Sequence, residues 1–187
     1  MNRRTAFKSI AVLAGAVTLL PSCLHHTPQE EAQASVPLKH LRVSGRQEQL
    51  LAEVCETILP KTDTPGAKDL GLHLYVLKML DDCTFNKHQR VFFTGLNQLE
   101  KVAQQRHKLA FAACTAPQKQ ALLESYKRGP AELAAFCRMA RQLTVDAYTS
   151  SKYYLTTQVV YELVPSRYNG YFPTKDVVLN KPRNGQS

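Results

Sequence analysis

The chain has five cysteines and six histidines, and the spacing of these reactive side chains decides what chemistry is open to it. There is no Cys-x-x-Cys and no Cys-x-x-Cys-His, so neither a zinc knuckle nor a covalently attached c-type haem is encoded. The absence of Glu-x-x-His argues against a di-iron bundle, and the absence of Gly-x-Gly-x-x-Gly argues against a dinucleotide loop. His25 and His26 are adjacent but lack further ligands, and they read as solvated residues. His73 follows Asp69 by one helical turn, a spacing that permits a hydrogen bond. No nucleophile is near in sequence, so a surface pair is expected rather than a catalytic one. With Cys23 set aside, Cys55, Cys83, Cys114 and Cys137 remain. An even count in an exported protein favours at least one disulfide among about three pairings, with plain buried thiols as the other reading. The remaining signal is tyrosine. Six of the eight lie in one stretch: Tyr148, Tyr153, Tyr154, Tyr161, Tyr168 and Tyr171. A tyrosine buries its ring and keeps its hydroxyl hydrogen-bonded at a wet boundary, which suits a docking surface or a groove of the same domain. No acid, base, nucleophile or ligand set accompanies them.

These residues follow an N-terminus of another character. Arg3, Arg4 and Lys8 precede an apolar run from Ile10 to Leu20, shorter than the roughly 20 residues of a membrane span. Residues 1–22 therefore read as an export signal. The Arg3-Arg4 pair followed by Phe7-Lys8 resembles the twin-arginine pattern, with an ordinary Sec signal as the alternative. Leu20-Pro21-Ser22-Cys23 resembles a lipobox, which would make Cys23 a lipidated N-terminus; ordinary cleavage nearby is the alternative. Residues 23–43 are polar and Pro-containing and read as a flexible tether. The net charge is +9, and three of those charges lie in the first eight residues, leaving a moderately basic remainder of +6. Such a surface favours anionic lipid or an acidic partner. Nucleic acid is not expected, because the basic residues are scattered among acids and no binding motif appears.

The body, residues 44–173, shows helical periodicity through most of its length. Ser44-x-x-Gln47 fits a capping box for a first helix carrying Leu50, Leu51, Val54, Cys55, Ile58 and Leu59 on one face, stopped by Pro60. Pro65-Gly66 fits a type II turn. A second helix is predicted over about 68–82. A third opens on a capping box of Asn86 and Gln89 and carries Phe92, Leu96, Leu99 and Ala103. A fourth starts at Thr115, has Pro117 in its first turn, carries Leu122, Leu123 and Tyr126, and ends at Gly129. Pro130 opens a fifth, with Leu133, Phe136, Cys137, Ala140, Leu143 and Ala147. Gln158 to Val164 is the only β-rich run and has nothing to pair with. The expected architecture is all-α: a bundle of about five helices with an irregular C-terminal wrap, and a tail over 174–187.

Two segments carry a family resemblance. The first is Ile58-Leu59-Pro60-Lys-Thr-Asp-Thr-Pro65-Gly66-Ala67. The second runs from Leu143-Thr144 through Tyr148-Thr149-Ser150 to Tyr161-Glu-Leu-Val-Pro165-Ser-Arg-Tyr168-Asn-Gly170. With the twin-arginine-like signal, they resemble the gluconate 2-dehydrogenase subunit 3 family over about 47–171. The resemblance implies a small subunit of a membrane-bound, periplasm-facing sugar or sugar-acid dehydrogenase. It implies no catalytic residue, cofactor or metal in this chain. FAD is expected in a large partner subunit and haem c in a cytochrome subunit. The implied role is to carry an export signal for a folded, flavin-loaded partner that lacks one. The tyrosine-rich stretch and the loop together give the expected docking surface: Pro60, Pro65, Gly66, Tyr161, Pro165, Tyr168, Gly170 and Tyr171. A stand-alone periplasmic lipoprotein that binds a ligand or envelope component is the rival expectation.

Overall fold

The computed structural model describes residues 33–125, 129–159 and 171. They form six α-helices and a short 3-10 turn, one helix more than the periodicity predicts: α1 (Gly45–Ile58), α2 (Leu72–Cys83), α3 (Asn86–His107), the 3-10 turn Phe111–Ala113, α4 (Ala116–Glu124), α5 (Ala131–Thr149) and α6 (Lys152–Thr157). Among the described residues there is no strand beyond one isolated antiparallel bridge between Gln33 and Ser44. None of their helices is long and apolar enough to cross a membrane.

The capping box at α1 forms as expected. Ser44 Oγ accepts from the Gln47 N–H at 3.3 Å, and Gln47 Oε1 accepts from the Ser44 N–H at 3.2 Å. Leu51, Val54 and Cys55 are completely buried, and the helix stops two residues before Pro60. α2 begins four residues later than predicted. Gly71 takes a left-handed φ of 62°, which ends the preceding turn and sets a new helix axis.

The predicted capping box at α3 does not form. Phe85 occupies the cap position without a side-chain bond, and Gln89 turns the other way. Its amide donates to Leu80 O at 2.8 Å and Thr84 O at 3.1 Å, satisfying carbonyls at the end of α2. Phe92, Leu96, Leu99 and Ala103 form the buried stripe of α3 as predicted. α5 crosses this helix at very close range. A Cβ on Gly95 would lie 2.3 Å from Phe136 Cβ and 2.7 Å from Glu132 O. The Phe92 and Phe136 rings meet edge to face at 4.9 Å.

α4 opens at Thr115, whose N–H donates to Gln118 Oε1 at 2.9 Å, with Pro117 in the first turn. Tyr126 lies outside the described residues. α5 starts after Pro130 and buries Leu133, Phe136, Cys137, Ala140 and Ala147. α6 was not foreseen. The chain breaks at Ser150, and Ser151 Oγ caps the new helix by accepting from the Tyr154 N–H at 3.1 Å.

Residues 33–43 correct the reading of a flexible tether over 23–43. They lie as a strap on the bundle, with the Ala34 N–H donating to Val43 O at 2.9 Å. Ala34, Val36, Leu38 and Leu41 pack half-buried against the core. Their few apolar groups explain why composition reads as linker. Two carboxylates supply what composition does not show. Glu48 of α1 accepts the Ser35 N–H at 2.6 Å and also the Ser35 hydroxyl. Asp81 of α2, only 3% exposed, accepts the N–H groups of Lys39, His40 and Leu41 at 2.6, 2.8 and 2.7 Å. Burial pushes the Asp81 carboxyl up, but the three N–H donors outweigh it and hold the group below the usual carboxylate range.

Candidate functional site

The loop between α1 and α2 is built around one side chain. Glu56, in the last turn of α1, reaches past the helix end with both oxygens. Oε1 accepts the Lys61 N–H at 3.0 Å and Oε2 the Lys68 N–H at 2.8 Å. The main chain closes over it through Ala67 N–H to Leu59 O at 3.0 Å and Thr62 N–H to Thr64 O at 3.1 Å. Gly66 is buried against this carboxylate. A Cβ there would sit 2.6 Å from Glu56 Oε1 and 2.7 Å from the Lys61 nitrogen. The expected type II turn needs a positive φ at Gly66, and the structure does not give it one. Glycine is required by close approach, not by a left-handed backbone.

The loop thus turns Gly66 and Ala67 inward, leaves Pro65 half-buried, and presents Pro60, Lys61, Thr62 and Asp63 to solvent. Two ion-paired supports hold it. Lys61 Nζ pairs with Asp69 Oδ2 at 3.0 Å, and that bond is the main reason the Asp69 carboxyl titrates below its ordinary value. Glu53 joins three elements by pairing with Lys68 and with Lys119 of α4, the latter at 2.8 Å. Burial raises the Glu53 carboxyl, but the two ammonium groups prevail and hold it low.

The tyrosine stretch begins at a corner between α5 and α6. Tyr148 meets Tyr154 edge to face at 5.3 Å and Tyr153 at 6.4 Å, and all three are half-buried. Val145, one turn before Tyr148, is 45% exposed. Tyr171 is 96% exposed. Tyr161, Pro165, Tyr168 and Gly170 lie outside the described residues, as does most of the expected C-terminal wrap. No described tyrosine belongs to the fully buried core.

The four body cysteines are free thiols, which corrects the expectation of a disulfide. Helix geometry explains part of this. The Thr144 hydroxyl lies 3.4 Å from Cys55 Sγ, and Cys137 precedes Thr144 by seven residues, about 10 Å along α5. That separation is beyond the reach of a bridge. Burial raises the Cys55 and Cys137 thiols to about 11 each, so both stay protonated and inert. Cys114 is buried with its thiol bonded to Ala110 O at 3.5 Å, whereas Cys83 is exposed at the end of α2.

The expected Asp69–His73 pair is also absent. Asp69 belongs to Lys61, and His73 Nε2 lies 3.7 Å from Glu48 Oε1. Burial lowers the His73 pKa against the opposing pull of Glu48. Ser35, Glu48 and His73 share a cluster, but the carboxylate sits in the middle. A nucleophile triad needs the imidazole between hydroxyl and acid, so this cluster does not have that order; it fastens the strap. Among the described residues no three His, Cys, Asp or Glu side chains converge as a metal site.

The described body is thus helical, with an exposed loop between α1 and α2 and a half-buried aromatic corner between α5 and α6. The comparison with known families places it: the chain belongs to the gluconate 2-dehydrogenase subunit 3 family, whose model matches residues 45–165. The match opens on the first residue of α1 and takes in all six helices, leaving the strap outside. No curated protein and no solved structure matches the chain.

Sequence reasoning singled out Pro60, Pro65 and Gly66 but missed Glu56, which shapes their loop. Its only sequence signal is a carboxylate one turn before a helix-stopping proline. Asp81 and the strap gave no local signal, because the partners are 40 to 42 residues apart.

Proposed function

We propose that this chain is a non-catalytic accessory subunit of a periplasmic FAD-dependent dehydrogenase complex. In this reading it binds the flavoprotein subunit, escorts it through export and helps hold it at the membrane. FAD and haem c belong to the partner subunits. Arg3 and Arg4 serve twin-arginine export, and Cys23 carries the lipid. The docking surface comprises the loop of Pro60, Pro65 and Gly66 together with Tyr161, Pro165, Tyr168, Gly170 and Tyr171.

The observation that carries this reading is the family match over the whole helical body. The loop and the tyrosine corner support it physically. A rigid loop loses little entropy on docking, and half-buried tyrosines offer large contact area with a polar tip. A stable complex would bury about 1,200 Å² or more. The rival, a stand-alone periplasmic lipoprotein that binds a ligand or envelope component, would be favoured by a self-contained pocket lined by the same tyrosines.

The escort role is tested by changing Arg3 and Arg4 to lysine and following the flavoprotein. Retention of the partner in the cytoplasm is expected, since a cofactor-loaded protein must cross folded. Undiminished export of both proteins would point to the Sec route and remove the escort role.

A further inference from the structure

A groove of about 910 Å³ runs between the strap and the first half of α3. The strap contributes Lys39, His40 and Arg42, and α3 contributes Arg90. No Asp or Glu lines it. Lys39, Arg42 and Arg90 are exposed and make no ion pair among the described residues. The adjacent carboxylate, Asp81, is already satisfied by three strap N–H groups. Half-buried Phe93 also lines the groove. Phe85 precedes the groove residue Asn86 and is 81% exposed, followed by exposed Lys87 and His88.

Cations with no ion pair among the described residues, lining one groove near an exposed aromatic ring, match the headgroup layer of an anionic bilayer. The cations meet phosphates, and the ring sits at the level of the polar boundary.

We propose that the groove seats anionic phospholipid headgroups, with Lys39, Arg42 and Arg90 as the phosphate contacts and Phe85 entering the headgroup layer. This goes beyond the accessory role and needs neither a partner nor an acyl chain, so the two stand or fall separately.

Among the described residues the buried core lies between Val43 and Ala147, so a chain beginning at residue 24 retains every one of these core residues while lacking both the apolar run and Cys23. Cosedimentation of that chain is measured with vesicles of phosphatidylcholine alone and with added phosphatidylglycerol. Binding to the anionic vesicles only is expected. Each removed cation should weaken it about fivefold, so the double variant Arg42→Gln and Arg90→Gln should bind about 25-fold less well. A charge-matched control, Arg141→Gln with Lys152→Gln on α5 and α6, should bind as the parent does. Thermal melts verify that both variants are folded. Equal loss in the two variants, or equal binding to both vesicle types, overturns the proposal. So does a saturable site for inorganic phosphate without vesicle binding, which would mark a free-anion site. Loss of the flavoprotein partner in the groove variant, with vesicle binding intact, would assign the groove to a protein and overturn it equally.

Discussion

Replacing Asp81 with asparagine removes a charge while keeping the shape of the side chain. Asp81 accepts three main-chain N–H groups from the strap and is 3% exposed. Hydrogen bonds to a charged group contribute about 1.5–3 kcal/mol each, so the gross loss could approach about 5–9 kcal/mol. The strap limits that loss, because it can peel away and return its N–H groups to water. What then disappears is its own docking, including the half-buried contacts of Ala34, Val36, Leu38 and Leu41. A net destabilisation of about 2–4 kcal/mol is expected, lowering Tm by roughly 5–15 °C for a body of this size. The pH dependence has a definite sign. The folded-state carboxyl lies below its ordinary value, so its contribution is present above the unfolded value of about 3.9 and is lost as pH falls through the folded one. The asparagine variant should therefore show a flatter stability curve below about pH 4. Hydrogen exchange provides the local assay: the amides of Lys39, His40 and Leu41 should be protected in the parent and exchange freely in the variant. Unchanged protection with a Tm shift under about 1 °C would refute the reasoning.

Gly66→Ala forces a Cβ to 2.6 Å from the Glu56 carboxylate and 2.7 Å from the Lys61 main chain. It should lower stability by about 1–3 kcal/mol in thermal unfolding and weaken partner capture with it. Gly95→Ala separates two effects of opposite sign. Helix propensity alone would add up to about 1 kcal/mol, whereas the 2.3 Å approach to Phe136 predicts a net loss of stability, read by denaturant midpoint. Among the body thiols, exposed Cys83 should react first with an aromatic disulfide reagent, while Cys55 and Cys137 should stay silent until the protein is unfolded. A non-reducing digest that yields a cross-linked pair would contradict the free-thiol assignment.

Helices with a strong apolar stripe were legible from sequence. The stripes of α1, α3 and α5 fall where the periodicity puts them, because burial on one face is a local pattern. Starts and ends were less legible. Gly71 could be a tolerated helical residue or a left-handed stop, and only the packing of α2 decides. Asn86 and Gln89 carry a capping signature, yet Gln89 serves the carbonyls of the preceding helix because those lie closer to its buried position. The short α6 has no buried residue to mark it. The strap was hidden for a different reason. Its stability comes from two carboxylates distant in sequence, and no window of local composition contains both partners. The loop between α1 and α2 was half legible: prolines and glycine announce a turn, but the glycine's reason lies in Glu56.

The accessory role rests on physical association with a flavoprotein. The direct measurement is recovery of the tagged chain from membranes in mild detergent, with the flavin spectrum of the eluate recorded. The account predicts a stoichiometric partner with bound flavin, lost when Tyr161, Tyr168 and Tyr171 are changed together to serine in a chain that still melts cooperatively. A chain that elutes alone and colourless, with the dehydrogenase left in the flow-through, would contradict it.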